Sequence, residues 1–250
     1  MQDIKEIIVA LSLQEYNNKT SCKALNKDDT FDFECSSCGG CCRNREVDIL
    51  LNPFDLYRAT NYIKSLNLDL QIGGLPVNMV SIESFINCFC DWYEGESSKL
   101  PIVTLDLSNA GTCPLLKDNR CQIQEAKPHI CSLYPLGFLI DFETGEYSYY
   151  SKPTCGKGTL QKQTVKKWLK NAALLDYEDF IVMWHKQTHL ICLWLKELDE
   201  WDRIKFIDFV FRTLYLNYDL NQDFLPQFER NCKTILDKLN RYCTMGYKVV

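Results

Sequence analysis

The sequence Cys35-Ser36-Ser37-Cys38-Gly39-Gly40-Cys41-Cys42-Arg43 places four thiols within eight residues. A thiolate forms strong bonds only to another sulfur or to a soft or borderline metal ion. The serine and glycine spacers allow the chain to curl, and glycine permits backbone conformations that a side chain would block. The stretch therefore predicts a metal or iron–sulfur site, around which the front half of the chain is organised.

The composition is that of a globular protein. The chain has 250 residues, 46% of them hydrophobic, a net charge of −5 and 14 cysteines. The acidic balance argues against general nucleic-acid binding, which needs a basic surface. No apolar run approaches the ~20 residues needed to span a bilayer, and the first residues lack the pattern of a signal peptide. We therefore expect a soluble cytoplasmic protein with neither a membrane nor a nucleic acid as partner. In the cytoplasm, reducing thiol pools keep cysteines free.

Local patterns predict mixed secondary structure before residue 160. Residues 3–16 have the apolar spacing of a short helix, and the polar stretch 17–32 is typical of a loop. Asn52-Pro53-Phe54-Asp55 predicts a helix start that continues to about residue 66, because asparagine caps helices and proline suits their first turn. A turn is expected at 117–120, and the strand patterns at 138–141 and 146–151 predict a hairpin.

The composition changes after residue 160. Cysteines become sparse, and apolar residues recur three and four positions apart, which predicts helices over about 177–198, 200–216 and 222–243. We divide the chain into a cysteine-cluster metal-binding domain over residues 1–160 and a helical C-terminal region over residues 161–250. The predicted fold class is α+β: an irregular cysteine-rich metal-binding domain with short strands and a helix, followed by a helical C-terminal segment.

Further cysteine motifs follow the first in a fixed order. They are Cys113-Pro114-x-Leu116 with Cys121, and then Lys127-Pro128-x2-Cys131-x3-Pro135. Together with the first stretch this order, over about residues 31–157, resembles the YkgJ-like cysteine-cluster family. That CxxCxxCC family is described as a zinc- or iron-chelating domain, and its cysteine pattern is also found in flagellin lysine methylase. Eight cysteines fit the pattern as metal ligands: Cys35, Cys38, Cys41, Cys42, Cys113, Cys121, Cys131 and Cys155.

Two metal arrangements are compatible with these cysteines. Eight thiolates can fill two tetrahedral four-sulfur zinc sites. Alternatively, Cys35, Cys38 and Cys41 hold three corners of a [4Fe–4S] cluster, with a distant cysteine at the fourth, as their spacing favours. The side chains of neighbouring residues tend to diverge, so we expect one of Cys41 and Cys42 to serve a second centre or to bond within the protein. Zinc remains the alternative to the iron–sulfur cluster.

Charge does not choose between these metals. Four thiolates around Zn²⁺ leave a net charge of about −2, and a [4Fe–4S]²⁺ cluster with four thiolates carries the same charge. We expect Arg43, Arg45 and Lys127 to offset it. The family pattern usually has arginine where Lys127 and Ser132 stand in this chain.

The other candidate residues have structural interpretations. We expect Cys22, Cys192, Cys232 and Cys243 to be small buried hydrophobic residues. The same is expected of Cys88 and Cys90, with disulfide exchange or added metal ligands as their alternative. His185 and His189 are four residues apart and could be metal ligands on one helix face, but helix packing or exposure is expected, and His129 could replace a sulfur ligand. The tryptophans are expected to pack the helices together: Trp168, Trp184, Trp194 and Trp201. Phosphate-binding glycine loops and the Gly-x-Ser-x-Gly motif are absent from the sequence.

Three functions agree with this pattern. The first is a cytoplasmic cysteine-cluster metalloprotein that holds an iron–sulfur cluster (4Fe–4S) or zinc. The second, implied by the resemblance to flagellin lysine methylase, is an S-adenosylmethionine-dependent protein lysine methylase with a protein substrate. The third is a structural zinc module whose helical tail binds a protein partner. The sequence does not decide whether the protein is an enzyme.

Overall fold

The computed structural model describes most of the chain after residue 23. The described residues are 24–43, 45, 48–67, 70–72, 75–77, 81–107, 111–140, 147–151, 159–172, 174 and 177–244. The helix expected over residues 3–16 lies outside them. Two compact units are present, Met1–Cys38 with His129–Val182 and Gly39–Pro128 with Met183–Val250. Each unit combines two separate stretches of chain, and the division at residue 160 stays a prediction.

Short antiparallel strands and longer helices make up both units, which confirms the α+β class. The strands are β1 (Ala24–Leu25), β2 (Thr30–Glu34), β3 (Leu50–Leu51), β4 (Leu70–Ile72), β5 (Leu75–Val77), β6 (Cys90–Glu94), β7 (Pro101–Leu105), β8 (Leu116–Lys117), β9 (Arg120–Cys121), β10 (Leu136–Ile140), β11 (Tyr147–Ser151) and β12 (Thr159–Thr164). The α-helices are α1 (Pro53–Leu66), α2 (Ile82–Phe89), α3 (His129–Leu133), α4 (Val165–Asn171), α5 (Tyr177–Glu197), α6 (Glu200–Phe211) and α7 (Phe224–Thr244). Among the residues described, no helix combines the length and the apolar character that crossing a membrane requires.

The core of the first unit forms around β2. Phe31 and Phe33 alternate with exposed residues, and both rings lie edge-on to the indole of Trp168 on α4, with centroids 5.9 and 5.7 Å away. Strand β12 pairs with β2, and the Gln163 side chain donates a hydrogen bond to the Phe33 carbonyl at 2.9 Å. The expectation of a loop up to residue 32 is therefore wrong at β1 and β2, because two inward phenylalanines stabilise an extended segment.

A second sheet of the first unit has the order β1-β11-β10. Its β10–β11 pair confirms the predicted hairpin, with Leu136 opposite Ser151 and Ile140 opposite Tyr147. Helix α5 begins beside this sheet, where the Glu178 carboxylate accepts hydrogen bonds from the Tyr149 hydroxyl and the Lys27 ammonium.

In the second unit, helix α1 begins as the sequence predicts. The Asn52 side chain accepts a hydrogen bond from the Asp55 amide at 2.9 Å, and the Asp55 carboxylate accepts one from the Asn52 amide at 3.3 Å. Pro53 occupies the first turn, and the helix ends at Asn67 in a left-handed conformation. This reciprocal cap satisfies two backbone donors that the helix itself leaves unpaired.

The C-terminal helices of the second unit confirm the predicted helical segments. The Trp184 ring packs against Tyr215 and Phe228, with ring centroids 6.0 Å away in both cases. Residues 212–216 continue α6 as a short π-helical turn. The expectation that Trp201 packs the fold is wrong, because it lies on the outer side of α6 with 71% of its surface exposed and the Lys205 ammonium over its ring.

Candidate metal centre

A tight turn presents the two adjacent cysteines of the first motif. We call residues 39–43 and 45 the cysteine turn. Gly39 has φ of 67° and ψ of 8°, and a single 3-10 turn follows, closed by the Cys42 amide donating to the Gly39 carbonyl at 3.1 Å. The sulfurs of Cys41 and Cys42 are 3.9 Å apart, in hydrogen-bond contact. The expectation that these neighbouring thiols diverge is therefore wrong, because this turn lets their sulfurs meet.

A second segment lies against the cysteine turn. We call residues 111–121 the cysteine hairpin. The Cys113 amide donates to the Cys42 carbonyl at 2.8 Å, which joins the two segments through their backbones. Strands β8 and β9 follow, with Cys121 on β9, and the predicted turn between them consists of Asp118 and Asn119 in left-handed conformations. The hairpin thus returns Cys121 towards Cys113.

Gly39 is needed where the turn and the hairpin meet. A Cβ atom on Gly39 would stand 2.9 Å from both the Asn119 carbonyl oxygen and the Leu116 Cδ1 atom. The Arg43 guanidinium also joins the segments there, since Nη1 donates to the Gly39 carbonyl at 3.3 Å and Nη2 to the Asn119 side-chain oxygen at 2.6 Å. A close approach of this kind, combined with a positive φ, requires glycine.

Arg45 forms the other junction of the two segments. Its amide donates to the Gly111 carbonyl at 3.0 Å, and its Nη1 donates to the Cys41 carbonyl at 3.1 Å. Gly111 has φ of 71°, and a Cβ atom there would stand 2.5 Å from the Arg45 carbonyl oxygen. The sequence pattern indicates only a charge for Arg45, and the signal that could have found Gly111 is the positive-φ preference of glycine after Asn109-Ala110.

The thiols of this region differ in their electrostatic surroundings. The hydrogen bond from the Cys42 thiol lowers the pKa of Cys41 to about 6 against the opposing effect of burial, and the Lys127 charge adds to this lowering. Burial raises the pKa of Cys113 to about 11, and burial also raises the pKa of Cys121. Cys113 and Cys121 each lie close enough to Cys41 for its negative charge to oppose their ionisation. A bound cation would relieve this repulsion.

Only part of the predicted ligand set lies in this framework. Cys41, Cys42, Cys113 and Cys121 belong to the second unit and are brought together by the turn and the hairpin. The other described candidates, Cys35, Cys38 and Cys131, belong to the first unit, and Cys155 lies outside the described residues. Cys35 is exposed and accepts a hydrogen bond from the Ser37 amide at 3.4 Å.

The donor set of the second unit fits a thiophilic metal ion in its chemistry. It offers four unbridged thiols, and the charges of Arg45 and Lys127 act on Cys41. In the described part of the chain, no three His, Cys, Asp or Glu side chains are grouped closely enough to hold an ion. The sulfurs of Cys41 and Cys42 are in contact, whereas Cys113 and Cys121 are linked to the turn through the backbone of the hairpin.

Other candidates have packing roles. The His129 ring stacks on the Tyr177 ring with centroids 4.0 Å apart, so it packs the first unit. Cys192 and Cys232 are buried, as predicted for isolated cysteines, whereas Cys243 is only half-buried and Cys22 lies outside the described residues. Burial also raises the pKa of Cys90 strongly, which keeps this thiol protonated.

Comparison with known proteins adds one finding. Residues 34–156 match the model of a family described as "CxxCxxCC: Putative zinc- or iron-chelating domain". No curated protein and no solved structure matches the chain. The matched segment contains all eight cysteines of the pattern, whereas helices α4 to α7 lie beyond it.

Proposed function

We propose that the protein binds zinc or iron through its cysteines, because residues 34–156 match the model of the CxxCxxCC family, which is described as a "Putative zinc- or iron-chelating domain". The proposed ligands are Cys35, Cys38, Cys41, Cys42, Cys113, Cys121, Cys131 and Cys155. The observation that carries the proposal is the backbone framework of the second unit, in which the Cys113 amide bonds to the carbonyl of Cys42. A backbone link between two cysteine motifs far apart in the sequence is expected if their thiols share one metal ion. It is not expected if each thiol is simply buried by itself.

The surroundings of the thiols suit a bound cation. Thiolates, not thiols, bind metal ions, and each thiol releases its proton on binding. The lowered pKa of Cys41 provides one thiolate near neutral pH, and the cationic side chains of Arg45 and Lys127 favour that charged form. A bound zinc ion would crosslink the turn and the hairpin, whereas iron would add electron transfer.

Iron enters the proposal as a single ion or as a [4Fe–4S] cluster. The spacing of Cys35, Cys38 and Cys41 supports the cluster. We propose the cytoplasm as the compartment, because reducing thiol pools keep cysteines available as ligands there.

Metal analysis of full-length protein purified without oxygen tests the proposal. We expect zinc or iron in at least equimolar amount, and the visible spectrum together with acid-labile sulfide distinguishes the two. An iron–sulfur cluster absorbs visible light and bleaches on reduction, whereas zinc protein is colourless. The variant Cys113→Ser should lose metal, and Cys243→Ser, outside the pattern on α7, is the matched control. Purified protein that contains neither metal would overturn the proposal.

A further inference from the structure

We infer that Cys41 and Cys42 bind the same ion, as two ligands of one tetrahedral four-thiolate site that Cys113 and Cys121 complete. The inference rests on the proposed function and deepens it, because it names four ligands and their geometry. It assigns a single zinc or iron ion to this place rather than a corner of a cluster. The site lies entirely within the second unit.

The separation of the two sulfurs carries the first step. In a tetrahedral site with metal–sulfur bonds of about 2.3 Å, two sulfur ligands stand about 3.8 Å apart, which is the bond length times the tetrahedral ratio. The sulfurs of Cys41 and Cys42 are 3.9 Å apart. They already define one edge of such a tetrahedron, and a metal ion would replace the hydrogen bond between them.

The same separation does not suit a [4Fe–4S] cluster. Each of its four thiolates binds a different iron atom, so any two are separated by two iron–sulfur bonds and the distance between the irons. Two sulfurs in contact cannot both occupy such corners. If Cys41 and Cys42 bind the single ion, Cys41 is not available as the third ligand of a cluster that Cys35 and Cys38 would hold.

The hairpin supplies the opposite edge. The Cys113 amide bonds to the Cys42 carbonyl at 2.8 Å, so the backbone of Cys113 lies against that of Cys42. Leu116 links the remaining ligand, since its amide donates to the Cys113 carbonyl at 3.1 Å and the residue pairs with Cys121 across β8 and β9. Rotation of the Cys113 and Cys121 side chains would bring their sulfurs to the ion without separating the two segments.

The charges of the site balance when one divalent ion is bound. Four thiolates and one divalent cation leave a charge of about −2. The Arg45 guanidinium is held 3.1 Å from the Cys41 carbonyl, and the Lys127 ammonium acts on both Cys41 and Cys121. Two cationic side chains therefore offset two negative charges, which limits the cost of placing the site in a half-buried position.

Titration of the full-length metal-free chain with cobalt(II) tests the inference. Cobalt replaces zinc in tetrahedral sites, and its visible absorption reports geometry and the number of thiolate ligands. We expect the spectrum of a four-thiolate site at one cobalt per chain. The double variant Cys35→Ser/Cys38→Ser removes two of the eight proposed ligands and should lower the total metal bound, but the four-thiolate spectrum of the first cobalt should remain. The control Cys243→Ser, on α7 outside the pattern, should keep both that spectrum and an affinity within about threefold, since a tenfold change would need about 1.4 kcal/mol.

Changes at the proposed ligands should act differently. Cys42→Ser and Cys113→Ser should each weaken cobalt binding at least tenfold and remove the four-thiolate spectrum. Because a serine variant could instead fail to fold, Cys42→His provides a second readout. Imidazole also binds zinc and cobalt, so this variant should keep a tetrahedral spectrum shifted towards three thiolates and one nitrogen. Circular dichroism of each variant verifies its fold.

The outcomes separate the inference from the proposed function. If Cys42→Ser binds cobalt with an unchanged four-thiolate spectrum, or if that spectrum requires Cys35 and Cys38, the inference alone is overturned. Stoichiometric acid-labile sulfide lost in Cys41→Ser would likewise assign Cys41 to a cluster. A chain that binds none of zinc, iron and cobalt overturns the proposed function as well.

Discussion

The substitution Gly39→Ala tests whether the junction of turn and hairpin holds the proposed metal ligands in place. Gly39 has φ of 67°, and its position leaves no room for a methyl group. The added carbon would stand 2.9 Å from the Asn119 carbonyl oxygen, a backbone atom that cannot rotate away, and 2.8 Å from the Arg43 Nη1 atom. The Arg43 guanidinium, which bonds to both neighbours, would be displaced.

The expected cost follows from these contacts. A non-glycine residue in the left-handed region costs about 1–2 kcal/mol. Loss of a hydrogen bond from the displaced guanidinium adds about 1 kcal/mol. The two costs add to about 2–3 kcal/mol. If the segments must form this junction to bind metal, the dissociation constant rises by about 30- to 140-fold, at 1.4 kcal/mol per tenfold.

Competition with a chromogenic chelator measures this dissociation constant for zinc on the full-length chain. Gly40→Ala is the matched control, because Gly40 lies next in sequence within the 3-10 turn, where alanine is tolerated. We expect Gly40→Ala to bind zinc within about threefold of the wild-type chain, which is less than 1 kcal/mol. Equal affinities of the Gly39 and Gly40 variants would refute the role assigned to this junction.

Three further changes test other parts of the molecule. Arg45→Gln should weaken zinc binding about tenfold, because the charge-assisted hydrogen bond of Arg45 to the Cys41 carbonyl contributes about 1.5 kcal/mol. Chelator competition measures the affinity. The control Arg203→Gln breaks an ion pair at 3.0 Å elsewhere in the unit and should leave the affinity unchanged. Trp168→Ala should lower the free energy of unfolding by about 3–5 kcal/mol, because two phenylalanine rings pack on its indole; urea unfolding measures this, and the same loss in Trp201→Ala, at an exposed position, would contradict it. Burial lowers the pKa of His185 to about 4, below the ~6.5 of an unfolded histidine. The unfolded chain therefore binds more protons, and the free energy of unfolding falls by at most about 2 kcal/mol as the pH drops from 7 to 5. The urea midpoint should fall less in His185→Gln than in the wild-type chain between these pH values, and an equal fall in both would contradict the prediction.

Local sequence determined the elements whose signals lie within a few residues. The Asn52-Pro53-Phe54-Asp55 start of α1 was predictable because its cap is formed by side chains three residues apart. The helices after residue 177 were predictable because their apolar spacing persists over many turns. Strand β2 was missed because its two inward phenylalanines form a period of only two repeats, and their partner Trp168 lies far along the chain.

The candidate site divides in the same way. The sequence by itself predicted the metal ligands, because thiols in ordered short motifs are typical of metal-binding sites. Only the tertiary structure decided that the sulfurs of Cys41 and Cys42 meet and that the Cys113 backbone bonds to that of Cys42. Sulfur separations depend on backbone conformation at Gly39 and on hydrogen bonds between segments about 70 residues apart, and neither is encoded in the spacing of the cysteines.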